Sequence, residues 1–205
     1  MKKIRKINVY LNMWRILPAY LCFRKNRFKE KCAMDLHEWI KLHPCVADRK
    51  ALFQFGYIMV YSKVNRNIFL NRLHRNAVMY VITRVLFPPM DFCYINVPPE
   101  KIGGGFSLQH GFSTIVAAKE IGERCHINQQ VTIGYNDDDA PVIGDDVLIS
   151  AGAIVIGDVH IGNSAKVGAG AVVVKDVPAY ATVVGMAARV VKVSVPGEDS
   201  GEANN

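Results

Sequence analysis

No C-x-x-C pair and no metal-like spacing occurs among the five cysteines, which stand at 22, 32, 45, 93 and 125. An odd set without such pairs argues against the disulfide framework of a small secreted domain and fits a reducing cytoplasm. Long apolar runs are missing too. The most apolar stretches, residues 51–61 and 77–87, are too short to span a bilayer, and the second contains Arg84. The opening Met-Lys-Lys-Ile-Arg-Lys could start a signal peptide, but Arg15 and Pro18 interrupt the apolar stretch and no small-x-small cleavage site follows. Secretion is therefore not expected. Acidic side chains are scarce in one half only: residues 1–92 hold 18 Lys and Arg against 5 Asp and Glu, whereas residues 93–205 hold 7 against 13. The chain has two electrostatic halves.

Pro88-Pro89 marks the boundary, because consecutive prolines end a helix. Residues 1–92 read as a basic α-helical region. Phe28, Cys32, Leu36, Trp39, Ile40 and His43 form one apolar stripe that stops at Pro44, and Asp48 is placed to cap a second helical region running toward Phe87. Aromatics interleave with Lys and Arg between Trp14 and Phe28, yet no nucleic-acid motif accompanies them. The region reads as a solvated helical face or one that touches an anionic membrane surface, giving a cytoplasmic protein with peripheral contact at the inner membrane and no nucleic-acid partner. The tail, residues 194–205, has no apolar periodicity and reads as disordered.

Between these segments the chain keeps a six-residue beat. Aliphatic residues fall at Ile121, Ile127, Ile133, Ile143, Ile149, Val155, Ile161, Val167 and Val173, with a small or β-branched residue four places after nearly every one. A period of six belongs to neither a helix nor a plain strand, so it predicts a solenoid of short stacked strands over residues 93–193. The first and fifth residues of each hexad point inward, and three hexads make one coil. The ten-residue step from Ile133 to Ile143 forces a loop within Tyr135 to Pro141. His126 and His160 point outward on different faces once that insertion is allowed for. This argues against a metal site of converging histidines, and no metal is expected. A solenoid with its own core is also expected to hold together without the first 92 residues.

Three segments carry a family resemblance: Ile95 to Gly111 with its Leu108-Gln109-His110, Gln129 to Gly134, and Val183 to Val191 with its Gly185-x-x-Ala188-Arg189. In this order they resemble the hexapeptide-repeat acetyltransferases, and within them the serine acetyltransferases and the related polysaccharide O-acetyltransferases. The resemblance covers about half the chain. It implies an α+β protein whose second half is a left-handed parallel β-helix, assembled as a homotrimer or a dimer of trimers, with acetyl-CoA as co-substrate. His110 matches the family's general base. An imidazole can take the proton of an acceptor hydroxyl as it attacks the thioester and return it to the leaving thiolate. The residues matching coenzyme A contacts are Gly134, Ala151, Ala169 and Lys166, and Lys166 and Arg189 supply positive charge for the nucleotide phosphates.

Two departures bear on mechanism. The family's aspartate partners of the histidine are replaced by Asn96 and Gln109, so the candidate partner of His110 is the Asn96 amide or a backbone carbonyl. The family's Arg-His pair that holds the serine carboxylate is replaced by Asp137, Asp138, Asp139 and Ala140 before Pro141. Three carboxylates repel a carboxylate-bearing acceptor and suit sugar hydroxyls, so the expected acceptor is a sugar of a surface polysaccharide or its precursor, with free serine as the alternative. A non-catalytic solenoid scaffold is the reading from another class, and His110 speaks against it.

Overall fold

The computed structural model describes residues 3–186 and 189–193. Six α-helices come first: α1 Lys3–Leu11, α2 Met13–Lys25, α3 Lys29–Lys41, α4 Ala51–Tyr61, α5 Lys63–Leu73 and α6 Ala77–Leu86. The α3 stripe ends before Pro44, as expected. The second helical region differs from the sequence reading. Asp48 caps nothing: Lys50 holds the N-cap position of α4, and breaks at Ser62 and at His74–Asn76 divide the stretch into three helices. Asn76 provides the one side-chain cap among the described helix starts, accepting from the Met79 N–H at 3.1 Å.

The strands that follow are short: β1 Cys93–Ile95, β2 Ser107–Leu108, β3 Thr114–Val116, β4 Glu120–Ile121, β5 His126–Ile127, β6 Thr132–Gly134, β7 Val142–Ile143, β8 Leu148–Ile149, β9 Ile154–Ile156, β10 His160–Ile161, β11 Lys166–Val167, β12 Val172–Val173, β13 Ala181–Val184 and β14 Arg189–Val193. They stack in parallel as three faces of a prism. The first face runs β1-β3-β6-β9-β12, the second β4-β7-β10, and the third β2-β5-β8-β11-β13 with β14 added antiparallel at the end. The hexad residues Ile121, Ile127, Ile133, Ile143, Ile149, Val155, Ile161, Val167 and Val173 are all buried in its interior, as are Cys125, Val131, Val147, Ala153, Val159, Ala165, Ala171 and Val177, which stand four places on. The period therefore maps directly onto the core. His126 lies on the third face and His160 on the second, as the spacing requires.

A stack of coils has two open ends whose backbone groups need partners. At the far end the hairpin of β13 and β14 extends the third face. At the near end, side chains from the helices bond to carbonyls of the first coil. Asn67 Nδ2 donates to Cys93 O at 2.9 Å, Asn71 Nδ2 to Val97 O at 2.9 Å, Lys31 Nζ to Ile102 O at 2.7 Å and Trp39 Nε1 to Phe106 O at 3.0 Å. Arg72, only 1% exposed, is the centre of this seam. It donates to Pro99 O, Ile102 O and Gly103 O and forms a two-pronged ion pair with Asp35, at 2.9 and 3.1 Å. Asp35 in turn accepts the Phe106 N–H at 2.9 Å. One hydrophobic core runs from the helices into the coils. The helices act as the cap of the solenoid.

Candidate active site

His110 stands at the corner where the chain passes from the third face to the first. The same corner recurs in the later coils, and there five positions separate equivalent residues, from Ile127 to Thr132, Ile149 to Ile154 and Val167 to Val172. In the first coil the step from Leu108 to Ile115 is seven. Two extra residues therefore bulge from this corner alone, and His110 and Gly111 sit in the bulge. Both have left-handed backbones, φ 64° and 68°, and the Gly111 N–H bonds Gln109 O at 2.8 Å. A side chain at Gly111 would strike Val64 of α5, so only glycine fits. A non-glycine residue in this conformation costs about 1–3 kcal/mol and persists only where its surroundings enforce it.

The bulge exposes the His110 imidazole to a cavity of about 610 Å³ between the first coil and the helices. Its helical wall is the α4–α5 junction, Tyr61 to Arg66, with Leu42 and His43 beside it. None of its lining residues is an Asp or Glu. Arg66, 7% exposed, donates to the carbonyls of Met59, Val60 and Pro88 at 2.7 to 3.0 Å and faces no carboxylate among the described residues. Burial, with Arg15 nearby, holds its pKa below the usual guanidinium range. Lys63, also in the wall, is exposed and makes no ion pair with a described residue. Asn65 lines the cavity too; it is 1% exposed, and its Oδ1 finds no donor in the protein. His43 Nδ1 lies 2.8 Å from Trp39 O, which assigns the proton to Nδ1 and leaves Nε2 free. The helical residues Lys63, Asn65 and Arg66 went unnoticed in the sequence because no motif or period marks them, and His43 was read only as the end of the α3 stripe.

The other predicted residues divide between corners. Ala151 and Ala169 belong to the His110 corner, where Gln130 N donates to Phe112 O, Gly152 N to Gln129 O and Gly170 N to Ala151 O, at 2.9 to 3.0 Å. A continuous ridge thus leads from the histidine along the prism. Lys166 is exposed on the third face, in the row Ser107, His126, Leu148, Lys166 and Thr182. Gly134 is placed elsewhere, at the end of the first face, and the loop with Asp137, Asp138 and Asp139 follows it toward the second face. Within one chain this loop does not share the His110 corner, and Asp139 is paired with Lys119 at 2.7 Å. Asn96 is also displaced. Its N–H bonds Val116 O at the far end of the first face, while His110 precedes that face, so within one chain it stands away from the imidazole. The physical reason is the path of the chain: Asn96 follows β1, and a whole face separates it from the bulge. The side chain of Arg189 lies outside the described residues, as does the segment 194–205.

Next to His110, Gln109 joins a polar cluster on the third face. His126 Nδ1 pairs with Ser107 Oγ at 2.8 Å, and its Nε2 lies 3.0 Å from Asn128 Oδ1 and 3.3 Å from Gln109 Oε1. Burial pushes the His126 pKa down, against the pull of Asn128.

A prism of hexads with an imidazole raised from its first coil defines the class: a left-handed β-helix of the hexapeptide-repeat kind. Residues 140–175 match the family model described as bacterial transferase hexapeptide (six repeats). In sequence the chain is similar to serine acetyltransferase of Staphylococcus aureus strain Mu50, 39% identical over 100 residues that cover 46% of this chain and 47% of the relative. The chain thus spans about half the length of the curated relatives it matches. In structure it is similar to the Neisseria gonorrhoeae serine acetyltransferase in complex with serine, with 27% identity, a TM-score of 0.60, and coverage of 84% of this chain and 72% of that one. A serine acetyltransferase in complex with CoA matches with 27% identity and a TM-score of 0.57, over 79% and 68% of the two chains. The resemblance to serine acetyltransferase-like hexapeptide proteins is thus found again in repeat, sequence and fold.

Proposed function

We propose that this protein is an acetyl-CoA-dependent O-acetyltransferase whose acceptor is free serine. The observation that carries the reading is the two-residue bulge that raises His110 into a cavity free of carboxylates. An acceptor hydroxyl held there gives its proton to the imidazole as its oxygen attacks the thioester carbon. The tetrahedral adduct then collapses, the carbon–sulfur bond breaks, and the imidazolium returns the proton to the thiolate. Backbone N–H groups of the adjoining turns are the candidates to stabilise the oxyanion. Lys63 and Arg66 give the cavity a positive field suited to the serine carboxylate. The ridge of Ala151 and Ala169, with Lys166 beside it, is the candidate track for the pantetheine arm. The relatives support both halves of this reading, since solved serine acetyltransferases are described in complex with serine and with CoA. A homotrimer, in which a second subunit would complete the coenzyme groove, is part of the proposal.

A saccharide hydroxyl is the second reading, favoured by Asp137, Asp138 and Asp139 standing where the family has its Arg-His pair. The deciding experiment measures thiol release from acetyl-CoA with free serine and with a panel of sugars. Serine should give the higher kcat/KM. A sugar that exceeds it would transfer the acceptor assignment to the aspartate loop, and no thiol release with any hydroxyl would remove the enzyme reading.

A further inference from the structure

We infer that the outer face of α1, α2 and α6 is a docking surface for an anionic phospholipid bilayer. Ile4, Ile7, Leu11, Trp14, Leu17 and Leu21 follow one another every three or four residues, and all are exposed, Ile4 by 78%, Leu11 by 71% and Trp14 by 69%. The opposite side of the same helices, with Val9, Ile16, Ala19 and Phe23, is the one packed into the core. Beside α2, α6 turns Val78, Val81, Ile82 and Val85 outward while burying Thr83. A water-facing helix normally presents charge there, so this pattern is an apolar stripe without a partner among the described residues.

Charge selects the occupant. Residues 1–29 contain 9 Lys and Arg and no Asp or Glu, and residues 49–90 contain 7 and none. A second copy applied to this face would set cations against cations. A bilayer with anionic headgroups offers the complementary charge, apolar depth for Leu11 and Trp14, and an interface that favours tryptophan. No described helix is long and apolar enough to cross a membrane, so the contact is one of lying on the surface. The inference does not depend on which acceptor is used.

Flotation of the full-length protein with vesicles tests it. Binding to vesicles rich in phosphatidylglycerol is expected at low salt, with release as salt rises, because charges are screened beyond about 10 Å at 0.1 M. Phosphatidylcholine vesicles should bind at least tenfold less, and brominated lipid should quench Trp14 while leaving the buried Trp39 bright. The double variant Leu11→Ser, Trp14→Ser removes only exposed side chains and should weaken vesicle binding by at least about tenfold. Its thiol-release activity and hydrodynamic size should be unchanged. Failure of the parent protein to bind anionic vesicles at low salt would overturn the inference. So would a smaller assembly in the double variant with vesicle binding intact, which would assign the face to a second copy.

Discussion

The two halves of this molecule solve the same problem by different means. In the solenoid the strand N–H and C=O groups meet the coil above or below, so a repeat of one aliphatic and one small residue suffices for its interior. The helical half has no repeat, and it spends individual polar side chains on the carbonyls of the first coil. Arg72 and Asp35 are fully buried for that purpose. The difference teaches that a repeat supplies regularity, whereas a singular feature, here a capped end and a bulged corner, has to be imposed from outside the repeat. His110 stands where the two halves meet: the solenoid carries the proposed base, and the helices build the cavity in front of it.

The largest expected effect breaks the seam between the halves. Arg72→Met leaves Asp35 buried without its cation and should cost about 3–5 kcal/mol, read as a lower urea midpoint at fixed protein concentration. A chain beginning at Asp91 loses the whole cap and should aggregate or lose its first coil; a well-folded, active fragment would mean that the coils end themselves. The second effect assigns chemistry to the solenoid side. His110→Asn should lower kcat at least about 10²-fold with the unfolding curve unchanged, and His43→Asn far less. The reverse ranking would move the base to the helical wall. Third, Lys63→Met should raise KM for serine about tenfold with little change in kcat or in KM for acetyl-CoA, whereas Asp139→Asn should leave all three near the parent values. A serine KM that responds to Asp139 and ignores Lys63 would separate the acceptor from the helices.

The smallest effect is confined to the third face. Burial lowers the His126 pKa in the folded state, while in the unfolded chain it stays near the usual 6.5. Stability from this group is thus present above about pH 6.5 and is lost as pH falls, because the unfolded chain takes up the proton more readily. His126→Gln should flatten that part of the stability curve, measured as thermal midpoints between neutral and mildly acidic pH. An unchanged slope would assign the loss to other groups.

The amino-acid sequence by itself determined the solenoid, its inward residues, the loop after Gly134, the break at Pro88-Pro89 and the family resemblance that picks out His110. Each of these is local or periodic, and burial of two residues in each hexad is enough to carry them. Only the tertiary structure decided that Asn96 lies a whole face away from His110, that Ala151 and Ala169 share its corner while Gly134 and the aspartates do not, and that Lys63, Asn65 and Arg66 line the cavity. The cap of the first coil was equally invisible, since Asp35 and Arg72 stand 37 residues apart in the chain and neither belongs to a motif. The reason is physical: stacking of identical coils follows from a repeat, whereas the meeting of helix and coil depends on where an unrepeated chain happens to bring a single polar group against an unpaired carbonyl.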